Sequence, residues 1–204
     1  MLSSLQNTGR LRLVQHGRPD DSRAVWTAGN AVRELPDGNI LLSFRNLSTI
    51  VRIDRQTGEI DWRLGAPPLS GQHGPTPLSN GNYLILDNGP FRVDQGEVPF
   101  PFSRVIEVDP ATNEIVWQYQ DPAAPQSFYT GGRGNAQRLP NGNTLINEAD
   151  SGRFFEVTAG GEVVWEYVNP YFGPVDGSPP TQKNAAFRIY RYTAEEVATA
   201  QNVV

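Results

Sequence analysis

The stretch that decides the fold is Arg33-Glu-Leu-Pro-Asp-Gly-Asn39-Ile-Leu-Leu42, because closely similar stretches occur twice more in the chain. The second copy is Thr76-Pro-Leu-Ser-Asn-Gly-Asn82-Tyr-Leu-Ile85, and the third is Gln137-Arg-Leu-Pro-Asn-Gly-Asn143-Thr-Leu-Ile146. In each copy an Asp-Gly or Asn-Gly pair separates two apolar runs, and these residues accept the positive φ that tight hairpin turns need. Three copies of one hairpin signal indicate an internal repeat.

A second shared element follows each copy and ends on a tryptophan. Its three versions are Val51-Arg-Ile-Asp-Arg-Gln-Thr-Gly-Glu-Ile-Asp-Trp62, Val105-Ile-Glu-Val-Asp-Pro-Ala-Thr-Asn-Glu-Ile-Val-Trp117 and Phe155-Glu-Val-Thr-Ala-Gly-Gly-Glu-Val-Val-Trp165. Each reads as another hairpin, so one repeat is a four-stranded antiparallel meander. Meanders of about 40 residues that stack on one another are typical of propeller blades. The sequence therefore predicts an all-β propeller with blade-like repeats at about 30–65, 74–120 and 134–168, and with the three tryptophans packed between blades.

The two ends of the chain carry further strand patterns, Leu11–Gln15 and Asn184–Tyr192. Because a bare sheet edge invites association, we expect these segments, at about 11–15 and 184–192, to pair and to close the ring within one chain. Thr193-Ala-Glu-Glu196 is a capping box and predicts a short C-terminal helix, the only helix expected. Residues 1–204 are thus predicted to form one propeller domain with a blade built from both chain ends.

Composition narrows the possible ligands. The chain has 204 residues with a net charge of −5 and no basic run, so we do not expect it to bind nucleic acid. It has no Cys and only two His residues, His16 and His73, which argues against thiolate or multi-His metal sites, and we expect no cofactor. No apolar run is long enough for a transmembrane segment, and no signal peptide is recognisable at the N-terminus.

Several stretches resemble the arylsulfotransferase family. They are Ser43-Phe-Arg-Asn46, Gln72-His-Gly-Pro75, Leu86-Asp-Asn-Gly89, Ala136–Leu145 and Trp165-Glu-Tyr167, and the resemblance extends over about residues 24–192. Enzymes of this family are six-bladed propellers that move a sulfuryl group from an aryl sulfate to a phenol through a sulfated His, without a free cofactor. The resemblance also implies a periplasmic or extracellular location.

The resemblance assigns candidate site residues. His73 matches the family's funnel His and Arg92 matches its sulfate-binding Arg, so these two would carry the chemistry if the chain is active. Together with Asn88 and Arg133 they are the candidate ligand-binding residues, for a small anionic or aromatic ligand. Each has a structural alternative: His73 as a hydrogen-bonded loop histidine, Arg92 and Arg133 as solvated loop arginines, and Asn88 as a turn residue that bonds its own backbone.

Two positions depart from the family's pattern. Ala28 stands where the family has its early funnel His, and Gly132–Ala136 contains no His where the nucleophile is expected. We therefore expect a non-catalytic propeller that acts as a binding or structural interaction module, and the alternative is an aryl sulfate sulfotransferase of reduced size. A protein partner or a second copy of the chain is expected to bind at the rim loops Pro90–Phe102 and Tyr171–Thr181.

Overall fold

The computed structural model describes residues 25–90, 92, 101–123, 127–174 and 182–201. Three four-stranded antiparallel sheets follow one another along the chain, each a meander in chain order. Blade 1 consists of β1 (Gly29–Glu34), β2 (Ile40–Phe44), β3 (Thr49–Ile53) and β4 (Ile60–Leu64). Blade 2 consists of β5 (His73–Pro77), β6 (Tyr83–Asp87), β7 (Arg104–Asp109) and β8 (Glu114–Tyr119). Blade 3 consists of β9 (Ala136–Arg138), β10 (Thr144–Glu148), β11 (Arg153–Val157) and β12 (Val163–Val168). The predicted all-β architecture of four-stranded propeller blades is confirmed.

The repeated turn forms in the same way in all three blades. In blade 1, Gly38 N–H donates to the Leu35 carbonyl at 2.9 Å, and Leu35 N–H donates to the Asn39 carbonyl at 2.8 Å. Gly38 has a φ of 84° and open space where a side chain would stand, so backbone conformation and not packing requires glycine there. The same pair of bonds recurs at Leu78 and at Leu139.

Two apolar clusters fill the spaces between neighbouring blades. The cluster between blades 1 and 2 includes the fully buried side chains of Leu41, Ile50, Ile85 and Ile106. The cluster between blades 2 and 3 includes the fully buried side chains of Leu84, Leu86, Ile146 and Phe155. Every residue of β6 is buried, because blade 2 is covered on both faces. The blades therefore depend on one another for their cores.

Two of the three repeat tryptophans join neighbouring blades, as predicted. The Trp62 ring lies 5.0 Å from the Tyr83 ring, and its Nε1–H donates to Asn113 Oδ1 of blade 2 at 2.8 Å. Trp117 Nε1–H donates to the Ala159 carbonyl of blade 3 at 2.8 Å. Trp165 is 42% exposed, because no further sheet of the described chain covers the face of blade 3 on which it lies.

The C-terminal segment differs from the sequence prediction. The structure places a two-residue pair, β13 (Gly173–Pro174) with β14 (Gln182–Lys183), and no strand over 184–192. The reason is that side chains of blade 3 take the bonds that a neighbouring strand would make: Asn135 binds both N–H and C=O of Ile189, and Gln137 binds both groups of Arg191. The other predicted closing strand, Leu11–Gln15, lies outside the described residues.

The predicted C-terminal helix is present as α1 (Ala194–Gln201). Thr193 and Glu196 form its capping box: Glu196 N–H donates to Thr193 Oγ1 at 3.1 Å, and Thr193 N–H donates to Glu196 Oε2 at 2.6 Å. Within the described ranges, no helix has the length and apolar character needed to cross a membrane.

Candidate functional site

His73 lies where the first strands of the three blades begin. We call β1, β5 and β9 the central strands, and they contact one another in that order. Asn30 of β1 donates from Nδ2 to the Gln72 carbonyl at 2.7 Å. On the other side, a methyl group at Gly74 would lie 3.0 Å from Asn135 Cβ, so the backbones of β5 and of the segment before β9 approach closely. His73 is thus held between residues of all three blades.

The His73 ring is fixed by hydrogen bonds at Nδ1. Asn88 Oδ1 lies 2.8 Å from this nitrogen and the Gly71 carbonyl lies 3.2 Å from it. Because a backbone carbonyl can only accept, the proton of the neutral ring is on Nδ1. The Asn88 amide is itself oriented, since its Nδ2 donates to the Thr130 carbonyl at 2.6 Å and to the Arg133 carbonyl at 2.8 Å.

Burial keeps this histidine neutral. His73 is 2% exposed, and burial lowers its pKa to about 4. The bond to Asn88 acts in the opposite direction, while the positive charges of Arg45 and Arg188 lower the pKa further. At neutral pH the imidazole is therefore unprotonated at Nε2 and carries no charge.

The C-terminal segment covers this site. The Phe187 ring lies edge-on to the His73 ring, with 6.4 Å between ring centroids. Its neighbour Arg188 donates to the Asn30 carbonyl of blade 1. The segment thus runs from blade 3 to blade 1 beside His73.

Arg92 lies in a buried ion pair. Its guanidinium is 2.9 Å from Asp87 Oδ2, and the side chain is 2% exposed. The same carboxylate accepts from Arg104 Nε at 3.0 Å and from the Ser70 N–H at 2.8 Å. The guanidinium also lies 4.4 Å from the centre of the Phe102 ring. The interpretation of Arg92 as a solvated loop arginine is therefore wrong. Its buried side chain joins two segments of blade 2.

The structure brings three of the four predicted site residues into one network. His73 binds Asn88, and Asn88 binds the Arg133 carbonyl. Arg133 takes part through its backbone, and its side chain is half-buried. Arg92 lies beside the network, because its partner Asp87 precedes Asn88.

Sequence reasoning missed Arg45 and Arg188, the two residues whose positive charges lower the pKa of His73. Arg45 donates to Asn46 Oδ1 at 3.1 Å and to the Gly131 carbonyl at 3.2 Å, which links blade 1 to blade 3. A signal for Arg45 existed, because it stands six residues after Asn39 as Asn88 stands six after Asn82. No such signal marks Arg188, whose Asn30 contact joins residues 158 positions apart.

No metal centre is formed by the part of the chain that the structure describes. Among those residues, no three His, Asp or Glu side chains lie close enough together to hold a metal ion. The polar atoms at the site are instead amide, carbonyl and guanidinium groups.

A comparison with known protein families shows which family the chain belongs to. The family described as Arylsulfotransferase (ASST) matches residues 17–170, about three quarters of the chain. This chain belongs to the arylsulfotransferase family. The resemblance inferred from the repeats is thereby confirmed, and the match includes His73, Asn88, Arg92 and Arg133. No curated protein matches the chain.

Solved structures share the fold at low sequence identity. A streptogramin B lyase aligns with a TM-score of 0.51 at 18% identity over 71% of this chain and 42% of its own. Hydrazine synthase of Kuenenia stuttgartiensis aligns with a TM-score of 0.50 at 12% identity over 81% of this chain and 41% of its own. Virginiamycin B lyase of Staphylococcus aureus aligns with a TM-score of 0.49 at 16% identity over 71% and 42%. This arylsulfotransferase-family chain spans about two fifths of the length of these structures.

Proposed function

We propose that this arylsulfotransferase-family propeller is non-catalytic and acts as a binding or structural interaction module. The observation that carries the proposal is the state of His73: it is 2% exposed, bonded to Asn88 and faced by Phe187. A nucleophile for sulfuryl transfer must meet both a bulky aryl sulfate and a phenol. A side chain enclosed in this way meets neither.

The residues around His73 support the same conclusion. Ala28, which replaces the family's early funnel His, has a left-handed φ of 46° at the start of blade 1 and offers no side-chain acid or base. Gly132–Ala136, where a second His was expected, contributes the Arg133 carbonyl to the Asn88 network. Arg92 is ion-paired with Asp87, a carboxylate that it shares with Arg104. The groups that would hold the oxygens of a sulfate during transfer are thus engaged in holding the fold together.

Exposed aromatic residues supply the surface for a partner. Tyr171 is 79% exposed and Phe172 is 62% exposed, at the described start of the rim loop Tyr171–Thr181. Aromatic side chains at this exposure are enriched in protein interfaces. At the described end of the other rim loop, Phe102 is 3% exposed. We therefore place binding of a protein partner or of a second copy at Tyr171 and Phe172.

Turnover of a chromogenic aryl sulfate with a phenol acceptor tests the proposal. We expect the full chain, His73→Ala and the matched control His16→Ala to release the chromophore at the same background rate. Background rates that differ by less than about twofold among the three proteins would support a non-catalytic role, because losing a covalent nucleophile costs several orders of magnitude.

The alternative function, aryl sulfate sulfotransfer, has one observation in its favour. With its proton fixed on Nδ1, the neutral His73 ring presents an unprotonated Nε2, the form in which imidazole is nucleophilic. The charges of Arg45 and Arg188 act on the same ring and would attract an anion. Robust turnover that disappears in His73→Ala and persists in His16→Ala would establish this alternative.

A further inference from the structure

Blade 3 has a pocket that holds an arginine side chain. Glu156 is 5% exposed, and its carboxylate accepts from the amide of Asn141 at 3.2 Å and from that of Asn143 at 2.7 Å. The Arg191 guanidinium pairs with Glu156 Oε2 and lies 5.0 Å from the centre of the Trp165 ring. A planar cation fits this set of groups because it binds the carboxylate and stacks on the ring at once.

Blade 2 has an equivalent pocket, but there a strand residue fills it. Glu107 and the Trp117 ring hold Arg138, which belongs to β9 and has a side chain that is 19% exposed. In the blade 3 pocket the Arg191 side chain is 40% exposed. Over residues 188–192, no backbone group bonds to another backbone group of the described chain. The occupant of the blade 3 pocket is therefore less firmly held than the occupant of the blade 2 pocket.

Two side-chain amides of blade 3 hold the backbone of the segment that carries this arginine. Asn135 Oδ1 accepts from the Ile189 N–H at 3.0 Å, and Asn135 Nδ2 donates to the Ile189 carbonyl at 2.8 Å. Gln137 makes the same pair of bonds with Arg191, at 2.8 and 2.9 Å. These bonds need only peptide groups two residues apart, so they bind an extended chain without reading its side chains. The arginine pocket is the part that selects a sequence.

We propose that the groove formed by Asn135, Gln137, Glu156 and Trp165 binds an extended basic segment of a partner protein, with an arginine in the blade 3 pocket. The chain's own residues 186–192 then act as an internal ligand, which the partner's segment displaces. Charge favours such a partner, because the chain has a net charge of −5 and the pocket presents a carboxylate. The inference rests on the proposed binding function and names the chemistry of the partner.

Binding of a labelled peptide to the full chain tests the proposal. The peptide has the sequence of residues 184–193, Asn-Ala-Ala-Phe-Arg-Ile-Tyr-Arg-Tyr-Thr. Arg191→Ala in the chain weakens the internal ligand and leaves the groove unchanged, and Arg55→Ala, which removes an exposed ion pair of blade 1, is the matched control. A tethered ligand competes at an effective concentration of about millimolar, so fluorescence anisotropy should give a dissociation constant at least about tenfold lower for Arg191→Ala than for Arg55→Ala.

A second peptide tests whether the pocket selects arginine. In this peptide, glutamate replaces the arginine that corresponds to Arg191. Its dissociation constant from the Arg191→Ala chain should be at least about tenfold higher, because two carboxylates would meet at Glu156. Adding Glu156→Gln to that chain should reduce the difference between the two peptides to less than about threefold.

Amide exchange in the unmodified chain covers the case in which Arg191→Ala fails to fold. An excess of the arginine peptide should speed exchange at the Ile189 and Arg191 amides at least about fivefold relative to the glutamate peptide, because the internal ligand is displaced. Equal dissociation constants for the two peptides, or equal exchange with either one, would overturn the proposal. So would exchange rates at these amides that change with protein concentration alone, because a second copy would then fill the groove. No aryl sulfate is present, so a failure here leaves the non-catalytic function to its own test.

Discussion

At the scale of residues, His73 and Arg92 serve as anchors inside the protein. His73 is 2% exposed and the Arg92 side chain is 2% exposed, and each is held by a residue at the end of β6: Asn88 binds His73, and Asp87 binds Arg92. Removing either partner would leave a buried polar or charged group unsatisfied, which costs more than the bond itself contributes. The Asp87-Asn88 pair therefore fixes the position of two segments at once.

The lowered pKa of His73 predicts a loss of stability in acid. The pKa is about 4 in the folded chain against an ordinary value of 6.5, so the unfolded chain binds the proton more tightly. The contribution to stability is complete above about pH 6.5 and is lost as the pH falls toward 4, by up to about 3 kcal/mol. Urea unfolding at a series of pH values should show this slope in the native chain and a shallower one in His73→Gln. Equal slopes in the two proteins would contradict the assigned pKa.

At the scale of elements, a lock of five side chains joins blade 2 to blade 3. Amides of Asn80 and Asn82 bind Glu107 Oε1, Arg138 of β9 binds Glu107 Oε2 at 2.8 Å, and the Arg138 guanidinium lies 4.5 Å from the centre of the Trp117 ring. Burial raises the pKa of Glu107, but these amides and Arg138 outweigh it and hold the pKa below its usual value. The carboxylate is therefore charged at neutral pH.

The same lock recurs between blade 3 and the C-terminal segment. Glu156 is bound by Asn141 and Asn143 and by Arg191, whose guanidinium lies 5.0 Å from the centre of the Trp165 ring. Arg191 thus occupies the position that Arg138 has on a central strand. The C-terminal segment takes the place of the first strand of a fourth blade, although it forms no strand of its own.

Trp117 and Trp165 occupy equivalent positions in the two locks, but their replacement should lower the free energy of unfolding by different amounts. Trp117→Ala removes a ring packed between two blades together with its 2.8 Å bond to Ala159, and should lower the free energy of unfolding by about 2–4 kcal/mol. Trp165→Ala removes a ring that is 42% exposed and should cost less than about 1 kcal/mol. Urea unfolding of the two variants makes the comparison, and similar costs would show that Trp165 is covered in solution.

In the turn after β6, we expect Gly89 to tolerate no side chain. Gly89 has a φ of 76°, and a methyl group there would lie 1.9 Å from the Phe102 carbonyl oxygen. Gly89→Ala should therefore cost at least about 3 kcal/mol, since the backbone must move. Gly38→Ala is the control, with similar φ and open space, and should cost about 1–2 kcal/mol. Thermal unfolding that places the two variants at the same temperature would rule out the close approach at Gly89.

At the scale of the whole molecule, local signals made the blades predictable. The turn sequences and apolar runs fix which residues pair within a hairpin, so each of the three repeats folds as a four-stranded meander. The C-terminal segment was not predictable, because Asn135 and Gln137 side chains take the place of a strand partner 54 residues away. A pattern of apolar alternation cannot show that a side-chain amide will replace a backbone ladder.

The candidate site was predictable only in part, for the same reason. His73 and Asn88 lie at neighbouring strand ends of one repeat, so their contact follows from the hairpin. The enclosure of His73 by Phe187 and Arg188 depends on the path of the C-terminal segment across the blades. That path encloses His73, a residue that the sequence offered both as a ligand-binding residue and as a hydrogen-bonded loop histidine.

The most direct test of the non-catalytic account is the intact mass of the protein after incubation with an aryl sulfate in the absence of any phenol. Under these conditions an enzyme that works through a covalent intermediate keeps the sulfuryl group on its nucleophile. We predict an unchanged mass, because His73 is enclosed by Asn88 and Phe187. A mass increase of one sulfuryl group that maps to His73 and is absent from His73→Ala would contradict the account.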